Sequence, residues 1–368
     1  MTRRSTRICG LAVAIAGGAL CVAHPAVAQS GPAAGSDLPA VCAVPDSIGA
    51  SLERISRRVS GDVGFTAVHI ESGLRVSYNG ARRFPMASVS KVPMALEYLA
   101  RVDAGEIDPS ERIRVPITDF RPGSSALASW SGGRAVSITV DSLFGLMMGV
   151  SDNTATDVIL NMSGGPSAAT RRVRELGVLG VDVDRSEART FADLSGISDT
   201  VPESELYRYQ YFRMRDALPQ DHRDAAREAY GRDPRDTSTP NGMADLLVRV
   251  HRGAGLEPST HGRLLDVMTG TRTGPRRLKG LLPRDTEVAH KTGTMAGAVN
   301  DVGIITLPDG RGHVAVAAFV NTLHSSTRRR ERTIAEMARL IYDYFGAEAP
   351  FAVAAVGGPS CPTETLGG

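Results

Sequence analysis

Apolar residues at 48, 52, 55 and 59 fall three or four apart behind Asp46, which predicts an opening helix over 46–59. Residues 65–70 and 74–78 are short apolar runs on either side of Glu71-Ser72-Gly73 and predict a β-hairpin. Residues 92–102 carry apolar side chains around most of a helix circumference, as a buried helix does. Residues 103–136 are rich in Pro, Gly and Ser and read mostly as loop. Helical patterns follow over 139–149 (with Thr139 as a cap), 154–162, 166–176, 204–217, 221–230, 241–252 and 259–269. After Lys291 the pattern changes to apolar strand runs at 301–306 and 313–321 around a Pro/Asp/Gly turn. A last helix spans 327–345, with Ile334, Met337, Leu340, Ile341 and Tyr344 as its apolar positions.

Strands therefore sit at both ends and helices in the middle. This order predicts an α/β (α+β) fold: one antiparallel sheet built from both chain ends, flanked by the terminal helices, with an inserted all-helical domain. The sheet domain is assigned to 46–80 plus 255–345 and the helical domain to 81–254, with a site in the cleft between them. Residues 1–28 read as an export signal: Arg3, Arg4 and Arg7, an apolar run over 8–22, and Ala26-Val27-Ala28 for cleavage. That run is too short for a membrane helix, so the mature protein is expected to be periplasmic or secreted, without a stable anchor, and monomeric. Residues 29–45 read as a flexible leader and 346–368 as a flexible tail.

Losing the three leader arginines takes the formal charge from +2 to −1, which gives no reason to expect a nucleic-acid partner. Cys42 and Cys361 remain after cleavage, either as a disulfide joining the ends or as two thiols. No Cys/His group has metal-ligand spacing, with His251 and His261 isolated in sequence, so neither metal nor cofactor is expected.

Only three of the 42 basic residues are lysines: Lys91, Lys279 and Lys291. Arginine stays charged, whereas lysine can exchange a proton when its pKa is lowered. Two of the three stand in small Ser/Thr/Gly motifs, Ser88-Val89-Ser90-Lys91 and Lys291-Thr292-Gly293. Residues three apart on a helix share a face, so the Lys91 amine is expected to reach the Ser88 hydroxyl and activate it as a nucleophile.

Between them lies Ser151-Asp152-Asn153, a triplet that also suits a turn or helix cap. The three motifs in this order, with 84–91, 151–157, 290–294 and 300–304 around them, resemble the class A β-lactamases and penicillin-binding serine hydrolases over 46–345. The resemblance implies an acyl-enzyme on Ser88, with Lys91 as or beside the base and Ser151 passing a proton to the leaving nitrogen. Asn153, Lys291, Thr292, Gly293 and Thr294 would bind substrate, the last with the Ser88 backbone N–H as oxyanion hole. Arg277, 14 residues before Lys291, matches a carboxylate-binding arginine of some members; otherwise it is a surface charge. Glu187, 34 residues after Asn153, matches the Ω-loop glutamate that activates the deacylating water, and is otherwise one more surface acid.

The sequence departs from the family in two places. The positions where it commonly carries Pro and a water-positioning Asn hold Ala188 and Phe191. Arg185 and Asp236, which resemble the pair closing the loop, stand 51 residues apart, so 192–233 looks like an insertion, either a lid or a helical hairpin on the surface. The expected activity is opening of a β-lactam ring. The alternatives are a D-Ala-D-Ala carboxypeptidase that releases β-lactams slowly, or a non-hydrolytic module that binds β-lactam or peptidoglycan.

Overall fold

The computed structural model describes residues 46–347. The export signal, the leader and both Cys42 and Cys361 lie outside the described residues, as does the tail from 348. The helices are α1 (Asp46–Ser56), α2 (Lys91–Asp103), α3 (Ala126–Trp130), α4 (Val140–Gly149), α5 (Asn153–Met162), α6 (Pro166–Glu175), α7 (Glu187–Leu194), α8 (Arg208–Ala217), α9 (Gln220–Tyr230), α10 (Pro240–His251), α11 (Pro258–Thr269) and α12 (Thr327–Gly346). The strands are β1 (Asp62–His69), β2 (Arg75–Tyr78), β3 (Phe84–Pro85), β4 (Arg112–Val115), β5 (Val136–Thr139), β6 (Thr237–Ser238), β7 (Val288–Met295), β8 (Ala298–Thr306) and β9 (His313–Asn321).

One five-stranded antiparallel sheet, in the order β2-β1-β9-β8-β7, unites the two ends of the described chain, as expected. Its faces differ in what covers them. Along β9, Val314, Val316, Ala318 and Val320 pack with α1 and α12, whose inward side chains include Leu52, Ile334, Met337 and Ile341. Ala315, Ala317 and Phe319 point the other way into a core shared with α2, α4, α5, α10 and α11. Burial on both faces is why β9 reads as a continuous apolar run.

Two segments correct the sequence reading. Residues 103–136 contain the paired strands β4 and β5 begins at their end, with α3 between; these elements are too short for periodicity to register. Against the expectation from their three-residue spacing, Ser88 does not share the long helix with Lys91. It lies in a 3₁₀ turn, Ala87–Ser90, and α2 begins at Lys91. Helix α2 is buried from Lys91 to Leu99, so it forms the centre of the helical layer. Pro93 is tolerated because it falls in the first turn, where no i−4 partner is lost. Among the described residues, no helix is long and apolar enough to cross a membrane.

Candidate active site

The turn that carries Ser88 is held from the sheet. Asn300 on β8 donates from Nδ2 to the Pro85 and Met86 carbonyls, at 2.8 and 3.0 Å. Opposite Asn300 in register is Gly293 of β7. A Cβ at Gly293 would lie 2.4 Å from the Met86 oxygen and 3.2 Å from the Ser88 nitrogen, so only glycine lets β7 run this close. Ala87, just before Ser88, has φ +48°, a left-handed conformation costing an alanine on the order of 1–3 kcal/mol. Ser88 itself is half-buried at the seam between β7 and the helices.

Lys91 is fully buried, and its Nζ has four oxygen partners. It donates to the Ser151 carbonyl (3.0 Å), Ser151 Oγ (3.1 Å) and Asn153 Oδ1 (2.8 Å), and lies 3.1 Å from Glu187 Oε1. The expected Lys91–Ser88 hydrogen bond is absent among the described residues: a carboxylate, a carbonyl, an amide oxygen and the Ser151 hydroxyl already occupy the ammonium.

Ser151 also adopts a left-handed backbone, φ +61°. The next residue, Asp152, is the cap of α5, accepting from the Ala155 N–H, and it further accepts from the Leu127 N–H and the Ser125 hydroxyl. The cap thus fixes the turn that aims Ser151. Asn153 is oriented by donating Nδ2 to the Pro122 carbonyl, which leaves its Oδ1 for Lys91.

Lys291, fully buried on β7, donates to Ser151 Oγ (3.0 Å) and to the Thr292 carbonyl (3.0 Å). Burial, with the charge of Lys91 second, holds its pKa well below that of an ordinary lysine. Further along β7, the Thr292 hydroxyl meets that of Thr273 at 2.5 Å, and the Thr294 hydroxyl accepts from Arg277 Nη2 at 2.6 Å. Arg277 is buried rather than a solvated surface charge. It also donates to the Gly293 and Asn300 carbonyls and pairs with Glu331.

Glu187 is buried at the first position of α7, behind Ser186, which caps the helix. Asp157 on α5 fixes its backbone, accepting from the N–H of Glu187 (2.7 Å) and of Ala188 (3.1 Å) while pairing with Arg121 at 2.7 Å. Asp157 closes the 151–157 stretch, and its local sequence gives no sign of this role. Burial, opposed by Arg121 and reinforced by Glu187, raises its pKa to about 6.

Arg185 and Asp236 do close this segment, at 2.5 Å, with Asp193 (2.8 Å) and Asp233 (3.0 Å) joining them. The insertion is a pair of helices, α8 and α9, secured at both ends. Arg208 donates its N–H to the Phe120 carbonyl, and the Gly231 carbonyl accepts from Asn321 on β9. Of its tyrosines, Tyr211 and Tyr230 are buried and Tyr209 is exposed. Tyr230 packs with Ala87 and Met295, directly behind the Ser88 turn. Phe191 edges onto Tyr211, and its ring leaves Gly123 no room for a Cβ, at 2.4 Å.

This arrangement places Ser88, Lys91, Ser151, Asn153, Glu187, Lys291, Thr292, Gly293, Thr294 and Arg277 around one seam. A profile of the beta-lactamase enzyme family matches residues 48–345. The chain is 30% identical over 273 residues to the extended-spectrum β-lactamase PER-1 of Pseudomonas aeruginosa, covering 72% of this chain and 77% of that one. It is 27% identical to the carbapenem-hydrolysing β-lactamase KPC of Klebsiella oxytoca, covering 80% and 87%. Among solved structures, the TLA-1 extended-spectrum β-lactamase superposes with a TM-score of 0.68 at 26% identity, over 82% of this chain and 99% of the other. An ancestral class A β-lactamase gives 0.65 at 30% identity, over 81% and 99%. The chain belongs to the β-lactamase enzyme family, within its class A serine hydrolase superfamily.

Proposed function

We propose that this protein is an exported, monomeric hydrolase that opens β-lactam rings through an acyl-enzyme on Ser88. The observation that carries the reading is the Lys91 ammonium, bonded at once to Ser151, Asn153 and Glu187. One buried charge thereby joins the groups needed for both halves of the reaction.

In acylation, Ser88 Oγ attacks the lactam carbonyl and its proton passes into the Lys91–Glu187 pair. The oxyanion is met by the N–H groups of Ser88 and Thr294. Ser151 Oγ accepts from two lysines, which occupies both lone pairs of the hydroxyl and leaves its own hydrogen to donate outward. That hydrogen goes to the lactam nitrogen as the C–N bond breaks, and Lys91 replaces it. In deacylation, Glu187 takes a proton from water, the water oxygen attacks the ester carbonyl, Ser88 leaves with a proton from Lys91, and Glu187 passes its proton to Lys91 to restore the pair. Lys291, Thr292 and Thr294 bind the substrate carboxylate, with Arg277 adding charge behind Thr294.

Glu187 beside Lys91 favours turnover over a penicillin-binding role or a non-hydrolytic module. A chromogenic cephalosporin tests the reading: the wild type turns over many equivalents, and Ser88→Ala falls to the uncatalysed rate. Turnover persisting in Ser88→Ala would overturn it.

A further inference from the structure

A second cluster of reactive side chains lies at the far end of the sheet. Glu71 in the β1–β2 turn, His313 at the start of β9 and His251 at the end of α10 each offer a ligand atom, and these atoms all lie within 4.8 Å of one another. Glu71 Oε1 is 2.7 Å from His313 Nδ1, and the His251 and His313 ring centroids are 4.3 Å apart. Zinc bonds of about 2.0–2.2 Å in a tetrahedron put ligand atoms about 3.4 Å apart. The Glu71–His313 separation is shorter than that and no other exceeds 4.8 Å, and the three side chains are exposed or half-buried, so small rotations bring them onto one ion. Room for the carboxylate is built into the backbone. Gly312, with φ +95°, lies where a Cβ would come 2.3 Å from Glu71 Oε2, and the His313 N–H holds that same oxygen at 2.9 Å.

We propose that Glu71, His251 and His313 form a site for a divalent transition metal of the zinc class. Two imidazoles and one carboxylate suit such an ion over calcium or magnesium, which take oxygen ligands. Three ligands from three separate elements would tie the hairpin turn, β9 and α10 together. His313 stands six residues along β9 from Phe319, which is level with Asn300 and Gly293, so about 20 Å at 3.3 Å per residue separates the ion from the Ser88 site. The metal is therefore a brace and takes no part in opening a lactam.

The test uses the full chain, stripped with chelator and titrated with zinc chloride. One equivalent should bind saturably, raise Tm by several degrees and be reversed by chelator, while calcium and magnesium leave Tm unchanged. His251→Ala and His313→Ala should each weaken binding at least about tenfold, with Tm in chelator near that of the wild type. In the unmutated protein, X-ray absorption at the zinc edge should show two imidazole ligands. No saturable binding, equal affinity in the double variant, or a first coordination shell without imidazole would overturn the assignment.

Discussion

Lys91 Nζ lies 3.1 Å from Glu187 Oε1, and both groups are buried. Two charges withdrawn from water at this distance hold each other in place only while the segment that carries Glu187 stays closed. That segment depends on residues that never touch a substrate, and the predictions concern them as much as the reacting groups.

Asp157 anchors the Glu187 backbone as a carboxylate. Its pKa is raised to about 6, so acidification through that value protonates it and removes an acceptor from the α7 turn. Deacylation should fall on the acid side with a midpoint near pH 6, and Asp157→Asn should be slow throughout and lack this limb. The stability sign is opposite. A group raised from its ordinary 3.8 binds its proton more tightly when folded, so this residue's own contribution to stability improves as pH falls from about 6 to 3.8. Single-turnover rates and Tm across this window separate the two: a loss of rate without a matching unfolding is the expected pattern.

Arg185 bridges Asp236, Asp193 and Asp233 from a buried position. Arg185→Ala takes the cation from buried Asp236, while Asp193 and Asp233 keep Arg235, and should cost on the order of 3–5 kcal/mol of stability. Deacylation should drop more than acylation, because Glu187 is two residues away. Urea unfolding with burst kinetics on the same variant checks both.

Phe191 fills the space between Gly123 and Tyr211 with a ring that has no hydrogen bond to offer a water. Deacylation should therefore be the slow step, giving a burst of about one product per enzyme. Phe191→Asn should reduce the burst by speeding deacylation relative to acylation, while lost packing costs about 1–3 kcal/mol. An unchanged burst would remove Phe191 from the slow step.

Gly293→Ala would push β7 off the Met86 carbonyl and the Ser88 nitrogen. A misplacement of about 1 Å at reacting groups can cost roughly 100-fold. The variant should lose acylation to that extent and keep its circular dichroism spectrum.

The long elements were legible because each buries a stripe or a face: α4 starts behind the Thr139 cap, and β9 spans the predicted 313–321. β7 was harder. His290, Lys291 and Thr292 are polar yet buried, since His290 bonds Asp301, Lys291 bonds Ser151 and Thr292 meets Thr273, so no apolar pattern marks the strand. The three site motifs were legible as local strings. Their wiring was not: a helical spacing suggested that Lys91 serves Ser88, but the acceptors that capture its amine come from 60 to 96 residues away. The Glu71, His251 and His313 group escaped for the same reason, as only folding brings α10 against the hairpin.

The most direct test of the central claim is the intact mass of Glu187→Gln after mixing with a cephalosporin, alongside its turnover rate. A general base contributes typically 10²–10⁴-fold. The account predicts measurable acylation, turnover reduced by at least about 100-fold, and a persistent adduct that maps to Ser88. Turnover equal to the wild type with no adduct would contradict it.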